Sequence, residues 1–232
     1  MKTKTGALRF LLPARLLSFQ AMPFPLFRGH FFMKLAVIWL RRAMFLMGLT
    51  VLLAACGKDG PTFQSLDITG NKEFAQDFSL LDPQGKTRTL ADYKGKAVVM
   101  FFGYTHCPDV CPTTMAELNQ VMQKLGPDAQ NVQVLFVTVD PQRDTAELMG
   151  QYVPAFNPAF VGLRPADDAA LKQVTKSFRV VVNKVEGSTP TNYTIDHTAG
   201  IYVFDPKGQL RLFMRPDEPV DAMAQDLKTL LS

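Results

Sequence analysis

Val98-Val99-Met100-Phe101-Phe102-Gly103-Tyr104-Thr105-His106-Cys107-Pro108-Asp109-Val110-Cys111-Pro112-Thr113 is an apolar, aromatic-rich run of strand character. It breaks at Gly103, crosses a short loop with two cysteines, and enters a helix that Pro112 is well placed to start. Cys107 and Cys111 are i and i+4, so a helix beginning near Cys107 sets both sulfurs on one face, roughly 6 Å apart at the Cα atoms. That spacing permits a disulfide or shared ligation of one metal ion. A helix N-terminus is also expected to lower a thiol pKa, because its unpaired amides and dipole favour the thiolate.

Outward from this junction, the bulk charge misleads. The 232-residue chain carries a formal charge of +4, yet residues 1–55 hold eight of the 25 Lys and Arg and none of the 21 acids. Residues 56–232 therefore carry 17 minus 21, or −4, and no nucleic-acid partner is implied. The basic excess belongs to a leader. Arg41-Arg42, the apolar residues 43–53, and Leu53-Ala54-Ala55-Cys56 resemble a bacterial lipoprotein signal, in which Cys56 becomes the lipidated first residue. A membrane span over residues 35–55 is the rival reading, but Arg41 and Arg42 interrupt it. A mitochondrial presequence is a weaker rival, and Met33 or another internal methionine is expected to be the true start. Every version carries the working domain out of the cytosol. The expected organisation is a leader over 1–55, the lipidated cysteine and a flexible tether over 56–71, and one domain over 72–232, held at the cell envelope and facing the periplasm. Lipidation uses Cys56, which leaves Cys107 and Cys111 as the remaining thiols. Outside the cytosol that pair can oxidise unless a reductant or metal keeps it reduced.

Within the domain, residues 74–80 alternate and residues 83–86 turn them into 87–90, a hairpin. Strands are predicted over 97–102, 132–139, 160–163, 178–185, 200–204 and 210–214. Helices are predicted after Cys111, over 145–152 and 167–177, and at the C-terminus. Residues 132–139 are almost continuously apolar, as in a strand covered on both faces. Met115, Leu118, Met122 and Leu125 form a helical core stripe. Alternating strands and helices, closed by a hairpin and a terminal helix, give a three-layer α/β domain with a central mixed sheet. A helix links the strands ending at Phe102 and Val139, so they should be parallel with their carboxyl ends at one edge, where ligand sites of open α/β sheets gather. The cysteine loop and Asp140-Pro141 emerge there. Asp196-His197-Thr198-Ala199 joins them if the strand over 200–204 runs antiparallel. Of three histidines, His30 falls in the leader and His106 points away from the sulfurs beside it, which leaves His197 as the third ligand. Two thiolates and an imidazole suit Cu(I) and Cu(II), though zinc accepts the same donors.

Residues 104–112, Val139-Asp140-Pro141-Gln142-Arg143-Asp144-Thr145, and Ile195-Asp196-His197-Thr198 with Asp205-Pro206-Lys207-Gly208 resemble the SCO/SenC family over about residues 72–232. The resemblance implies a thioredoxin-like fold in which Cys107, Cys111 and His197 bind one copper ion. It implies a metallochaperone for the dinuclear copper centre of cytochrome c oxidase, whose copper-site subunit would be the partner, with a periplasmic copper donor upstream. The aspartate matching Asp140 lies near the metal in that family and assists copper or redox function. A thiol-disulfide oxidoreductase that keeps the partner's copper-site cysteines reduced is the alternative, with Cys107 and Cys111 as its redox pair. Against a plain thioredoxin stands the spacing, three intervening residues where that motif has two. Blander readings are a structural disulfide, a loop histidine at 197, a turn at Asp140, and a solvated helix start at Arg143 and Asp144. Zinc-finger, phosphate-loop, dinucleotide and serine-hydrolase signatures are absent.

Overall fold

The structure, a computed structural model, describes residues 34, 36–45, 60–189 and 192–232. The expected lipidation site Cys56 and the apolar run before it lie outside the described residues from position 46 on. The chain divides into two units, Met1–Lys58 and Asp59–Ser232. In the first, residues 36–45 are helical. Among the described residues no helix is long and apolar enough to cross a membrane.

The second unit is built on β4 of a series that runs β1 (Leu66–Asp67), β2 (Leu80–Leu81), β3 (Thr87–Arg88), β4 (Ala97–Gly103), β5 (Val132–Thr138), β6 (Val161–Leu163), β7 (Val182–Thr189), β8 (Asn192–His197), β9 (Ile201–Phe204) and β10 (Leu210–Met214). Its helices are α1 (Val110–Leu125), α2 (Ala146–Phe156), α3 (Asp168–Phe178) and α4 (Val220–Leu231). The six-stranded sheet has the order β1-β10-β9-β4-β5-β6. Every residue of β4 is buried, the reason its sequence shows no alternation. β4 and β5 pair in parallel from Ala97 opposite Val132 to Gly103 opposite Thr138, and β9 joins β4 antiparallel. The sheet is therefore mixed, and the start of β9 lies at the edge where β4 and β5 end, as expected. On one face Phe178 of α3 packs edge-on against Tyr202 with centroids 5.2 Å apart, and against Phe102 at 5.2 Å. On the other face Phe136 meets Tyr152 of α2 at 5.9 Å, and α1 packs against α4. Two helical layers thus enclose the sheet. Burying each of these rings contributes about 1.5–3 kcal/mol.

Four expectations need correcting. The hairpin is reduced to β2 and β3, two residues each. Ala75 takes a positive φ of 51° and donates its N–H to the Ser177 carbonyl, which ends any strand over 74–79. Leu90 opens a 3₁₀ turn instead of extending β3. The expected tether is docked in its later part. Gln64 and Ser65 donate their amides to the buried Asp226 carboxylate at 2.8 and 2.7 Å, and β1 pairs with β10. Phe178 closes α3 instead of beginning a strand, because Arg179 adopts the left-handed conformation and caps the helix. Finally, the strand expected over 178–185 runs on as β7 to Thr189 and pairs with β8, where no strand was expected, in an antiparallel arm that forms its own two-stranded sheet. β7 is exposed along nearly its whole length, so it has no apolar alternation to betray it.

Candidate metal centre

α1 begins at Val110, so Cys107 stands in the loop and Cys111 in the first helical turn. Cys111 is fully buried beneath the end of β4. Gly103 makes the room: a Cβ there would lie 2.7 Å from Phe136 Cε2 and 3.0 Å from Cys111 Sγ. The Cys107 loop folds back on itself, its amide donating to the Tyr104 carbonyl at 3.2 Å. Cys107 Sγ in turn accepts the Cys111 N–H at 3.4 Å. Both cysteines are free thiols.

His197 ends β8 and sits between the edges of Phe101 and Tyr104, with centroids 6.5 and 6.1 Å away. Its Nδ1 is 3.1 Å from the Thr198 carbonyl oxygen. A carbonyl only accepts, so Nδ1 carries the proton and Nε2 presents its lone pair. Nε2 lies 3.8 Å from Cys111 Sγ. A sulfur and an imidazole nitrogen on one tetrahedral or trigonal ion, with bonds of about 2.3 and about 2.0 Å, stand about 3.5–3.7 Å apart. At 3.8 Å this pair therefore stands within a few tenths of an ångström of the spacing of two ligands of one ion. Among the described residues, no three His, Cys, Asp or Glu side chains form a ready-made metal cluster. The Cys107 sulfur is engaged by the Cys111 amide. Cys107 and His197 border one open groove of about 480 Å³, with residues 107–110 on one wall and residues 194–197 on the other, while Cys111 is buried behind it.

The electrostatics reverse one expectation. Burial pushes the Cys111 thiol far above its ordinary value, and the neighbouring Cys107 and Asp144 push the same way. The helix N-terminus does not prevail against desolvation. Burial likewise lowers the His197 imidazole below its usual 6.5, partly offset by the Thr198 carbonyl and Asp196. The resting pair is a neutral thiol beside a neutral imidazole.

His106 lies outside the convergence, as expected. Its Nδ1 is 3.0 Å from Thr105 Oγ1 and its side chain is half-exposed. Asp140 is buried and touches neither sulfur in any hydrogen bond. It accepts from Arg143 Nε and from the Tyr193 hydroxyl, the latter at 2.8 Å. Arg143 and Asp144, expected to be a solvated helix start, are built into the site's walls. Asp144 is completely buried and accepts from the Thr105 hydroxyl at 2.6 Å, the Thr105 amide at 3.1 Å and the Thr138 hydroxyl at 2.5 Å. It binds the cysteine loop to the end of β5. Sequence reasoning missed Asp144, Tyr104 and Tyr193. The one available signal was Thr105 just past one buried strand and Thr138 at the end of another, hydroxyls that need a buried acceptor.

The SCO1/SenC family model matches residues 67–232. The chain belongs to the SCO1/SenC family. The mitochondrial SCO2 homologue of Bos taurus is 42% identical over 134 residues, covering 57% of this chain and 50% of that protein. The chain thus spans about half the length of the mammalian SCO2 homologues it matches. Among solved structures, Bradyrhizobium japonicum ScoI with copper bound is 40% identical with a TM-score of 0.62, covering 68% of this chain and 99% of that one. Apo Sco1 of Thermus thermophilus is 39% identical with a TM-score of 0.65, covering 75% of this chain and 99% of that one. These SCO1/SenC neighbours carry the same thioredoxin-like arrangement of helices about a mixed sheet as β4 and its partners here.

Proposed function

We propose that this SCO1/SenC protein binds one copper ion through Cys107, Cys111 and His197 and delivers it to the copper-site subunit of cytochrome c oxidase as the dinuclear centre is built. The 3.8 Å approach of His197 Nε2 to Cys111 Sγ carries this reading, because it joins two remote parts of the chain at ligand spacing. Zinc accepts the same donors, but soft sulfur holds Cu(I) and the nitrogen completes Cu(II), so the set serves copper in either oxidation state. The copper-bound ScoI neighbour supports the same choice. The ion is cargo, taken from a periplasmic donor and surrendered to the oxidase subunit. Cys56, lipidated, would hold the domain at the periplasmic face of a membrane.

The reductase alternative is less favoured. Cys107 is the accessible thiol that would attack a partner disulfide, and Cys111, buried with its thiol pushed up, would resolve the mixed disulfide slowly near neutral pH. Copper binding has no such difficulty, since the metal displaces the proton. The full chain in detergent, kept reduced, should take up one copper, and Cys107→Ser, Cys111→Ser and His197→Ala should each weaken binding. Mixed with an oxidised, copper-free oxidase subunit, the metal-free protein should leave that subunit's disulfide intact. Rapid reduction without copper overturns the carrier reading in favour of the reductase. Labelled fatty acid should enter the chain and be lost in Cys56→Ser; incorporation that survives the substitution refutes the anchor.

A further inference from the structure

Two of the three proposed donors stand at the end of the main sheet, but His197 is carried by the separate β7–β8 arm, and something must hold that arm in place. Residues 193, 195 and 197 alternate onto one side of β8, Tyr193 and Ile195 being buried. Fixing Tyr193 therefore fixes the direction of the imidazole four residues on. Arg143 does this from the loop that follows β5. Its Nη1 donates to the Tyr193 carbonyl at 2.9 Å, and its guanidinium lies 3.5 Å from the Tyr193 ring centre. Its Nε binds Asp140, whose other oxygen accepts the Tyr193 hydroxyl at 2.8 Å. The result is a closed ring of contacts, Arg143 to Asp140 to Tyr193 and back. Tyr104 adds one strut, its hydroxyl accepting the Ile195 amide at 3.2 Å. These contacts join the arm to the Asp140–Asp144 loop and to the end of β4.

We propose that Arg143 and Tyr193 are positioning residues that set the His197 imidazole opposite Cys111 and thereby govern the affinity for Cu(II) much more than that for Cu(I). The inference rests on the copper reading above. Two thiolates satisfy Cu(I), whereas Cu(II) draws on the nitrogen. Loosening the arm withdraws the nitrogen and leaves the thiols where they are, since no contact in the ring touches Cys107 or Cys111. Arg143→Lys keeps the charge but loses the planar fork that reaches Asp140 and the Tyr193 carbonyl together. Tyr193→Phe keeps the stacked ring and loses only the bond to Asp140.

The test uses the full chain, reduced, in detergent. Cu(II) binding is followed by sulfur-to-copper charge-transfer absorption and electron paramagnetic resonance, and Cu(I) binding by competition with a chromogenic chelator. In both variants Cu(II) should bind about tenfold or more weakly, the size of one lost charge-assisted hydrogen bond, and the resonance spectrum should change. Cu(I) affinity should stay within about threefold, which is under the tenfold that such a bond is worth. In the metal-free protein, the His197 ring NMR signals should broaden or shift in each variant, a readout that needs no copper. Unchanged Cu(II) spectra and affinity overturn the proposal, as does an equal loss of Cu(I) and Cu(II). If Cys111→Ser itself binds both ions like the unsubstituted protein, the copper reading fails instead.

Discussion

Gly103→Ala is the smallest change that reaches both the core and the candidate site. The added methyl carbon would stand 2.7 Å from Phe136 Cε2, nearer than real side-chain carbons approach, and 3.0 Å from Cys111 Sγ, tighter than most of them. Phe136 cannot yield, being fully buried with Phe101 at 6.1 Å and Tyr152 at 5.9 Å. Relief therefore shifts the backbone at residue 103, and Cys111 Sγ, 3.8 Å from His197 Nε2, has to give by a few tenths of an ångström where the methyl meets it. Overpacking of this kind costs about 1–3 kcal/mol, and a domain of this size loses about 2–4 °C of melting temperature per kcal/mol. Scanning calorimetry of the metal-free protein should show a fall of about 4–8 °C for a cost near the middle of that range. The Cu(II) charge-transfer band should also shift, since the sulfur bearing it has moved. A variant that melts with the unsubstituted protein and gives an identical band refutes the claim that Gly103 makes room for the sulfur.

Other consequences follow from burial. Iodoacetamide at pH 7 should modify Cys107 well before Cys111, because Cys107 is only partly buried and Cys111 is wholly buried with a raised pKa; mass spectrometry showing equal rates refutes it. His197, lowered below 6.5, binds fewer protons folded than unfolded once the pH drops through 6.5. Its contribution to metal-free stability should therefore be lost as the pH falls below that value and be absent in His197→Gln; melting curves that do not differ between the two proteins from pH 7 to 5 would contradict this. Asp144→Asn turns an acceptor of three hydrogen bonds into a group that meets donors with donors. Its cost should be about 1–3 kcal/mol by urea unfolding, and a neutral result would show that the carboxylate does not anchor the cysteine loop.

How far the sequence spoke depended on where the information was stored. The central strands were legible because β4 and β5 are buried on both faces, and continuous apolar runs say so without tertiary context. The approach of His197 to Cys111 was legible because strand direction alone carries the end of β4 and the start of β9 to one edge. The arm was legible only in part: the strand expected over 178–185 covers the first half of β7, while the exposed remainder keeps no period in its hydrophobicity and pairs only with β8. Asp144 was unreadable for a different reason. Asp before the capping residue Thr145 is the commonest way to begin a helix in solvent, and only the folded chain reveals Thr105 and Thr138 on either side of it. The thiol pKa was misjudged because a helix dipole is visible in sequence and desolvation is not.

The neutral resting pair has a consequence for copper uptake. A protonated Cys111 thiol facing a neutral His197 nitrogen at 3.8 Å holds no charge to attract a cation. Binding must therefore expel the Cys111 proton, and affinity must rise with pH by about tenfold per unit for each proton released. His197 adds nothing near pH 7, since it is already neutral there; it joins only below 6.5, where its own proton must leave as well. The slope of log affinity against pH should consequently steepen on the acid side. Calorimetry of Cu(I) binding in buffers of different ionisation enthalpy counts the protons directly. A count of zero at pH 7 would mean that Cys111 is already a thiolate, and that the helix N-terminus outweighs burial after all.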